Sequence, residues 1–430
     1  MKIMIIGSGA REHALAYQVA YCADIDQVYV APGNAGTERQ NKVKNIAITE
    51  PETLLDFALK EKIDLTIVGP EQYLMMGIVD LFSEHQLNIL GPNQKAAQLE
   101  GSKVFAKKFL EKYQINTAKY RTFHQEQYQE ALIYLMNHNY PVVIKADGLA
   151  AGKGVFIAQN YEEASKIVTE MLKNGLFATA GHRIVIEEFI EGQEMSFMIL
   201  LNGQQFVTLP TSQDYKKAYD YNLGPNTGGM GAYSPSSLET PELTQRIIDH
   251  IVLPTIEGLQ KENMHYRGFL YFGLMIKKGI PYVIEYNCRL GDPETQVILP
   301  RIQSSFVDLC LSCFDNTLSK QKLQFSNQKA VTVVLSNIGY PKKPIDGDII
   351  EGLNDAIPEK MLLFHAGTVL NGNQISTRGG RVISVSALAD TLSQARDMIY
   401  TLLSNKKITW RHMYYRRDIA ATENELVEIE

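Results

Sequence analysis

KIMIIGSGAREHA, residues 2–14, is an apolar run that ends in a glycine turn and leads at once into a helical segment. Three further apolar runs follow within the first hundred residues, and each ends in Gly, Pro or Ala: QVYVA (27–31), LTIVGP (65–70) and LNILGP (87–92). Segments with apolar residues at helical spacing separate these runs, namely residues 11–22, 53–62 and 76–86. Strand–helix alternation with nearly continuous apolar strands predicts an α/β domain built on a doubly wound parallel sheet, with a ligand crevice at the strand ends.

The glycine cluster at residues 7–13 predicts an anion site. Backbone N–H groups and the helix dipole converge where a strand turns into a helix. A dinucleotide site would need a third Gly where Glu12 stands, and an acid where residues 32–34 read PGN. Arg11 at the helix start suits a monophosphate better. A purely structural turn remains an equal alternative for this cluster.

The composition excludes several classes of protein. The chain has 430 residues, 45% hydrophobic content, 21% charged content and a net charge of −6, which predicts a globular protein of several domains. An acidic balance argues against nucleic acid as a partner, because a phosphate backbone needs a basic face. No run approaches the roughly 20 apolar residues that span a bilayer. The four cysteines and the absence of an export signal predict a cytoplasmic protein, with Cys310 and Cys313 as buried thiols, not zinc ligands.

From about Gly101 the pattern changes to an α+β region of two lobes. Residues 103–113 have helical spacing, and further strands are predicted at 141–158, 182–190, 194–203, 269–279 and 281–287. A last block of short strands and glycine turns opens near Ala330. The sequence therefore predicts a small mixed α/β domain at the C-terminal end.

A second glycine-rich loop, KADGLAAGKG at residues 145–154, is not a Walker A motif. Three residues, not four, separate its first two glycines, and glycine follows the second lysine. Lys145 on a strand and Gly152, Lys153 and Gly154 in the loop are nevertheless suited to cover phosphates and neutralise them. A plain β-hairpin seldom needs so many glycines and lysines, which favours phosphate binding.

Glu285, Asn287 and Arg289 form a third candidate site. Residues two apart on a strand share one face, so these three side chains are predicted to lie together after the apolar run YVI. Two oxygen donors beside a cation suit Mg²⁺, which takes few protein oxygens and leaves the rest to phosphates and water. Arg289 would face a carboxylate or a transferring phosphoryl group. A structural ion pair beside a turn is the alternative.

Two polar segments complete the candidate sites. Residues 211–217 and 224–231 are predicted to form a long irregular loop that carries binding groups. Residues 185–194 read as a strand that runs into a turn, where backbone groups could pair with an adenine edge and Glu194 could reach a ribose hydroxyl.

In this order the segments resemble the phosphoribosylamine–glycine ligase family of the ATP-grasp superfamily. The matching pieces extend over nearly the whole chain, and the segments GPNTGGMGAYSP and RLGDPETQ are specific to that family. The pieces are GSGAREHA (7–14), PGNAGT (32–37), VGPE (68–71), LEGSKVFAKKF (99–109), VVIKADGLAAGKGV (142–155), VIEEFIEGQE (185–194), TSQD (211–214), GPNTGGMGAYSP (224–235), EYNCRLGDPETQ (285–296), HAGT (365–368), GGRVISVSA (379–387) and YYRRDI (414–419).

The resemblance implies an N-terminal phosphoribosylamine-binding domain at 1–102, an ATP-grasp domain at 103–325 with a mobile lid at about 122–189, and a C-terminal domain at 326–430. It implies ATP contacts through the loop glycines and lysines already named and through Lys103, Lys145, Glu187, Glu188, Phe189 and Glu194. It implies Mg²⁺ or Mn²⁺ at Glu285 and Asn287, and phosphoribosylamine near Gly9, Arg11, Asn34 and Glu71. Glycine and the acyl phosphate would be surrounded by Asp214, Asn226, Arg289 and Asp292, with Arg289, Asp292 and Lys145 as catalytic residues.

The implied reaction activates the carboxylate of glycine with ATP and transfers the glycyl group to the amine of phosphoribosylamine. The partners expected are these small molecules, in a monomer or a homodimer. The sequence departs from the family pattern at Ala10, at TSQDYKK and after Asp418, and the run FLYFGLMI (269–276) lacks the acid that many ATP-grasp enzymes place there for metal. A different ATP-grasp ligase and a catalytically silent nucleotide-binding protein are the alternatives; PGNAGT and GPNTGGMGAYSP argue against the first, and intact Lys145 and Glu285 against the second.

Overall fold

The computed structural model describes residues 1–149, 154–176, 182–353 and 357–421. A nine-stranded sheet joins the N-terminal region to the centre of the molecule. Within the described ranges, no helix has the length and apolar character needed to cross a membrane.

The N-terminal region forms the parallel half of this sheet. Its elements are β1 (Lys2–Gly7), α1 (Ala10–Ala20), β2 (Gln27–Pro32), β3 (Val43–Asn45), α2 (Pro51–Glu61), β4 (Leu65–Val68), α3 (Glu71–Met75), α4 (Ile78–Glu84), β5 (Ile89–Pro92) and α5 (Gln94–Gly101). Ile3 and Ile5 pack into one core with α1, whereas Met4 and Ile6 pack into another with α2 and α4. The predicted doubly wound parallel sheet is confirmed: its strands run in the order β5-β4-β1-β2-β3, and β1, β2, β4 and β5 pack against both cores. The three-residue strand β3 carries too little apolar pattern to be predicted.

A separate small lobe follows. The helix α6 (Lys103–Lys112) leads into it. The lobe itself consists of β6 (Tyr120–His124), α7 (Tyr128–Met136), β7 (Val142–Ala146), β8 (Val155–Ala158), α8 (Tyr161–Leu172) and β9 (Arg183–Glu188). Strands β6 to β9 form a four-stranded sheet in the order β6-β9-β7-β8. The lobe has its own core, in which α7 and α8 cover the sheet. Gly152 and Lys153 of the predicted phosphate loop lie outside the described residues.

The central region supplies the antiparallel half of the nine-stranded sheet. Its elements are β10 (Gln193–Asn202), β11 (Gln205–Thr208), β12 (Gln213–Asp214), β13 (Lys217–Tyr219), β14 (Leu223–Asn226), β15 (Gly231–Ser234), α9 (Pro241–Ile247), α10 (Leu253–Lys261), β16 (Tyr266–Lys277), β17 (Ile280–Asn287), α11 (Thr295–Ile298) and α12 (Phe306–Leu311). The two halves join where Tyr266 and Arg267 of β16 pair with Pro92 and Gly91 of β5. The strands predicted at 194–203, 269–279 and 281–287 are confirmed as β10, β16 and β17.

The C-terminal region is built on a six-stranded sheet. Its elements are β18 (Lys329–Asn337), β19 (Met361–His365), β20 (Thr368–Asn371), β21 (Gln374–Thr377), β22 (Arg381–Ala389), α13 (Leu392–Ser404) and β23 (Met413–Tyr414). Strands β12 and β15 of the central region extend this sheet in the order β12-β15-β18-β22-β19, with β23 beside β18. The two regions are therefore connected by backbone hydrogen bonds as well as by side chains.

Two local predictions have clear outcomes. The segments at 211–217 and 224–231 are more regular than the predicted irregular loop, because β12 and β15 pair with each other and β13 forms a hairpin with β14. This pairing is not visible in their polar composition, because the partner strand β18 is distant in sequence.

Cys310 and Cys313 are fully buried, which confirms the prediction of buried thiols.

Candidate active site

A cavity of about 920 Å³ lies where the small lobe, the central region, the end of the N-terminal sheet and the C-terminal region meet. Most of the predicted site residues line it: Arg11, Glu71, Lys103, Lys145, Gly154, Glu187, Glu188, Phe189, Glu194, Asp214, Asn226, Glu285, Asn287, Arg289 and Asp292. Gly9 and Asn34 lie behind its N-terminal wall and are not among its lining residues. Residues separated by hundreds of positions thus share one volume.

Glu285 projects from β17 beside a bulge in its pairing with β16. It lies opposite Gly273, where any Cβ would approach the Glu285 Cγ to 2.8 Å, so the absence of a side chain there gives the carboxylate its space. The Lys216 ammonium is 3.1 Å from Glu285 and 3.2 Å from Glu194. That ammonium, aided by Lys145, lowers the pKa of Glu285 to about 2 despite burial. Glu285 is therefore an ionised oxygen donor in the cavity.

Asn287 ends β17 and has a defined amide orientation. One terminal atom of the amide lies 3.1 Å from both the Tyr286 carbonyl and Glu100, and we assign this atom as Nδ2 because Oδ1 there would face two acceptors. The oxygen is therefore directed away from them. An ionised carboxylate and an amide oxygen fit a divalent cation that takes its remaining ligands from phosphates and water. Among the described residues no group of three His, Cys, Asp or Glu side chains could hold a metal ion alone.

Arg289 lies between two carboxylates in what we call the arginine cluster (Arg289, Glu71 and Glu100). Its Nη2 is 2.7 Å from Glu100 and its Nε is 3.4 Å from Glu71. Burial disfavours the charge of Arg289, but the two carboxylates outweigh it and raise its pKa. Burial raises the pKa of Glu100 to about 7, although Arg289 opposes the shift. Burial also opposes ionisation of Glu71, but Arg289 and Arg11 outweigh it and lower its pKa.

The opposite wall holds the lysine cluster (Lys107, Glu187 and Lys145). One Glu187 oxygen forms an ion pair with Lys145 at 3.0 Å and the other forms an ion pair with Lys107 at 3.1 Å, and the Glu187 side chain is 3% exposed. Lys145 also donates to the Ile284 carbonyl at 3.1 Å, and Lys107 donates to Thr117 at 2.6 Å. Burial lowers the pKa of Lys107 to about 8. Burial opposes ionisation of Glu187, but the two lysines outweigh it and lower its pKa.

The segment between β9 and β10 borders the lysine cluster. Glu187 lies inside the small sheet, where its backbone is paired with Tyr120 and Val143. Glu188 donates its N–H to the Lys119 carbonyl at 2.9 Å, and Phe189 follows the end of the strand. Lys103 at the start of α6 donates to the Gly148 carbonyl at 3.4 Å, which links α6 to the loop after β7.

The N-terminal glycine turn is occupied in part by its own helix. Gly9 donates its N–H to Glu12 at 2.6 Å, and Arg11 is paired with the other oxygen of Glu12 at 2.5 Å. A Cβ on Gly7, Gly9 or Gly69 would meet the Glu12 carboxyl group within 3 Å. Glu12 therefore fills the space where a dinucleotide site has its third glycine, a role that sequence reasoning missed.

Asn34 and Asp292 tie the N-terminal wall to the rest of the molecule. Asn34 donates to the Ser8 carbonyl at 2.9 Å and to the His365 carbonyl at 2.7 Å. Asp292 lies 3.3 Å from Arg381, a residue of the C-terminal region that also donates to the Gly228 carbonyl. Burial opposes ionisation of Asp292, but Arg381 outweighs it and lowers the pKa of Asp292.

Asp214 and Asn226 lie on the short strands that reach the C-terminal sheet. Burial and the nearby Glu294 carboxylate raise the pKa of Asp214 well above its usual value. Its Oδ1 is buried without a hydrogen-bond partner in the described residues. Asn226 donates to the Val155 carbonyl of β8 at 3.5 Å, so this segment also contacts the small lobe.

The sequence did not single out several polar residues that line this cavity, among them Glu100, Lys107, Lys216, Glu294, Tyr340 and Arg381. Glu100, Lys107, Glu294 and Arg381 stand inside segments that carried the family resemblance, and Lys216 stands in the segment TSQDYKK. Their residue types are ordinary at those positions, so their role follows only from which side chains they meet.

Three family models match the chain in order. The phosphoribosylglycinamide synthetase N domain matches residues 1–100, the ATP-grasp (A) domain of that synthetase matches 101–295, and its C domain matches 330–422. The chain belongs to the phosphoribosylglycinamide synthetase family. The resemblance seen in the sequence is thereby confirmed.

Relatives of this family are similar over almost their whole length. Phosphoribosylamine–glycine ligase of Pseudomonas aeruginosa is 49% identical over 97% of both chains. Phosphoribosylamine–glycine ligase of Escherichia coli is 47% identical over 97% of this chain and 98% of its own. The crystal structure of the Thermotoga maritima enzyme of the same name superposes with a TM-score of 0.83 at 37% identity, covering 97% of this chain and all of that one.

The fold extends beyond the phosphoribosylglycinamide synthetase family. The biotin carboxylase domain of Hydrogenobacter thermophilus 2-oxoglutarate carboxylase, solved with MgADP and bicarbonate, matches with a TM-score of 0.74 at 18% identity. It covers 99% of this chain and 95% of its own. At this identity the match shows a shared fold only.

Proposed function

We propose that this member of the synthetase family ligates glycine to 5-phosphoribosylamine at the expense of ATP, giving glycinamide ribonucleotide, ADP and phosphate in purine biosynthesis. The observation that carries the proposal is that one cavity brings together the lysine cluster, the oxygens of Glu285 and Asn287, and the arginine cluster. Relatives named for this reaction at 46–49% identity over 97% of the chain support it.

ATP binds between the small lobe and the central region. Lys103 and Lys145 contact its phosphates, and Gly152, Lys153 and Gly154 are further ATP contacts. The segment of Glu187, Glu188 and Phe189 holds adenine, and Glu194 holds the ribose. The net positive charge of the lysine cluster supports this orientation, because phosphates need cations in a site of low dielectric constant.

Glu285 and Asn287 bind Mg²⁺, for which Mn²⁺ can substitute. The ion would supply charge neutralisation to the phosphates of ATP. The ionised state of Glu285 and the amide orientation of Asn287 support this assignment.

The remaining residues receive the other two substrates. Arg11 and Glu71 line the end of the cavity for phosphoribosylamine, and Gly9 and Asn34 support that end from behind its wall, at the strand ends of the N-terminal sheet. Asp214, Asn226, Arg289 and Asp292 surround glycine and the acyl phosphate. The unpartnered Oδ1 of Asp214 supports a ligand at that point.

The reaction has two steps. A carboxylate oxygen of glycine attacks the γ-phosphorus of ATP, and the bond from that phosphorus to the β-phosphate oxygen breaks, which gives glycyl phosphate and ADP. The amine of phosphoribosylamine then attacks the glycyl carbonyl carbon, the carbon–oxygen bond to phosphate breaks, and the amine loses a proton. Lys145 and Arg289 stabilise phosphoryl charge, and Asp292 positions the second substrate. A closed lobe excludes water from the acyl phosphate.

Three domains fit these roles. Residues 1–102 bind phosphoribosylamine, residues 103–325 bind ATP and include the lid at about 122–189, and residues 326–430 close the site. The separate core of the small lobe supports a lid that moves as one body. The pairing of β15 with β18 supports a rigid contact between the second and third domains.

The test measures ADP release with each substrate omitted in turn. We expect ADP release to depend on glycine and amide formation to depend on all three substrates. ADP release at the full rate without glycine, or no amide product with all substrates present, would contradict the proposed function.

The metal assignment has its own test in Glu285→Gln. This variant is expected to weaken the use of Mg·ATP about 100-fold, because a neutral amide replaces the ionised ligand. The urea midpoint of unfolding should stay near that of the unaltered protein. Unchanged turnover in this variant would show that Glu285 is not a metal ligand.

A further inference from the structure

Glu100, the penultimate residue of α5, lies directly behind the end of β17. Its side chain is 7% exposed. One oxygen accepts the Cys288 N–H at 2.7 Å, and the other is 2.7 Å from Arg289 Nη2 and 3.1 Å from Asn287 Nδ2. The carboxylate thus contacts Asn287, the last residue of the strand that carries the proposed metal ligands, and the two residues that follow it.

The contact with Asn287 decides which atom of its amide is available to a cation. Divalent cations of this kind take oxygen ligands, and an amide nitrogen with two hydrogens offers them none. Glu100 and the Tyr286 carbonyl are both acceptors, so both favour Nδ2 of Asn287 on their side. A 180° rotation of the amide would set oxygen against oxygen at both contacts.

We propose that Glu100 is a positioning residue for the metal site: its carboxylate holds the Asn287 amide with the oxygen free for the cation, and holds Arg289 beside it. The inference rests on the proposed function, because it assumes that Asn287 is a metal ligand. Partners behind metal ligands commonly fix ligand orientation, and their loss weakens metal binding about 10–100-fold.

Glu100→Gln separates this role from a structural one. The oxygen of Gln can still accept the Cys288 N–H, so the connection between α5 and β17 is kept. Its NH₂ group then faces Asn287 and Arg289, where the carboxylate accepted hydrogen bonds. The Asn287 amide is expected to turn so that its oxygen accepts from Gln, which directs its nitrogen at the cation.

The experiment titrates Mn²⁺ into the full chain with a non-hydrolysable ATP analogue present, and measures free Mn²⁺ by electron paramagnetic resonance. Glu100→Gln is expected to weaken Mn²⁺ affinity about 10–100-fold. Glu71→Gln is the matched control, because it removes the other carboxylate partner of Arg289. Its Mn²⁺ affinity should stay within about twofold of the unaltered protein, because only Glu100 is paired with Asn287.

A second pair of variants tests the amide orientation itself. Asn287→Asp supplies an oxygen to the cation in either orientation but faces the Glu100 carboxylate. In the double variant, the NH₂ group of Gln at position 100 can donate to Asp at position 287. Glu100→Gln is therefore expected to strengthen Mn²⁺ binding in the Asn287→Asp background, opposite in sign to its effect alone.

The possible failures are distinguishable. If Asn287→Ala leaves Mn²⁺ affinity unchanged, the proposed metal role of Asn287 is wrong. If Asn287→Ala weakens binding but Glu100→Gln does not, or if Glu100→Gln weakens it equally in both backgrounds, only the positioning role of Glu100 is overturned. Far-ultraviolet circular dichroism and the thermal midpoint confirm that each variant is folded.

Discussion

The lysine cluster and the arginine cluster are built with opposite stoichiometry. In the first, one carboxylate lies between two ammonium groups, and in the second one guanidinium lies between two carboxylates. Both line the same cavity. The lysine cluster keeps an excess of positive charge on the side proposed for phosphates, and the arginine cluster keeps an excess of carboxylate on the side proposed for metal and amine substrates.

The difference shows how a buried charge can be prepared for a ligand. A fully paired cluster would present no net charge, and an isolated buried charge would be very unfavourable. A three-membered cluster holds its side chains in place through ion pairs and still leaves one charge for the ligand. The protein therefore uses the same geometry twice with the signs exchanged.

Lys145→Met is expected to give the largest effect. It removes the ammonium proposed to contact the phosphates, and a lost group of this kind lowers kcat about 100–1000-fold. Lys107→Met is the control, because Lys107 meets the same carboxylate but donates its other hydrogen bond to Thr117. The kcat of both variants is measured from steady-state ADP release. Equal losses of kcat would mean that the two lysines are not functionally distinct.

Glu187→Gln is expected to have the next largest effect, on stability. The change leaves two buried ammonium groups without their shared carboxylate, which lowers the free energy of unfolding by about 3 kcal/mol. Glu71→Gln should lower it by less than about 1 kcal/mol, because Glu71 is 28% exposed and Arg289 keeps Glu100. Urea unfolding followed by circular dichroism compares the two. Similar losses of unfolding free energy in the two variants would contradict the expected difference between the clusters.

A further expected effect is on the pH dependence of stability. The pKa of Lys107 is lowered by burial from 10.5 to about 8, so between these values the unfolded chain binds a proton that the folded protein does not. Stability attributable to Lys107 therefore rises as the pH increases from about 8 to 10.5. The difference in unfolding free energy between the unaltered protein and Lys107→Gln should change across this window. A constant difference would contradict the lowered pKa.

Much of the fold was predictable because the apolar pattern of a segment agrees with how deeply that segment is buried in the folded protein. The four apolar runs of the first hundred residues are buried on both faces, so their composition alone indicates parallel strands. The strands β10, β16 and β17 are long and apolar for the same reason. The hairpin of β13 and β14 and the pairing of β15 with β18 were missed, because short polar strands are defined by partners distant in sequence.

The site was predictable where one short segment carries several functional groups. Glu285 and Asn287 lie on β17, so strand periodicity was enough to predict that these two share one face. The prediction that Arg289 lies on the same strand is wrong, because β17 ends at Asn287; Arg289 lines the same cavity from the segment that follows. Glu100 and Glu71 reach the same point from two helices of the N-terminal region, and no periodicity connects them with β17. The roles of these residues as ligands stay predictions.

The sequence by itself determined the strand and helix pattern, the glycine turns and the family to which the chain belongs. These features depend on residues near one another in the chain, where composition and spacing act directly on backbone conformation. Only the tertiary structure decided that Glu12 fills the N-terminal turn, that Lys216 meets Glu285, and that Glu100 holds Asn287. Each of these depends on the distance between groups in three dimensions, because electrostatic and hydrogen-bond energies act over a few ångströms of space and not along the sequence.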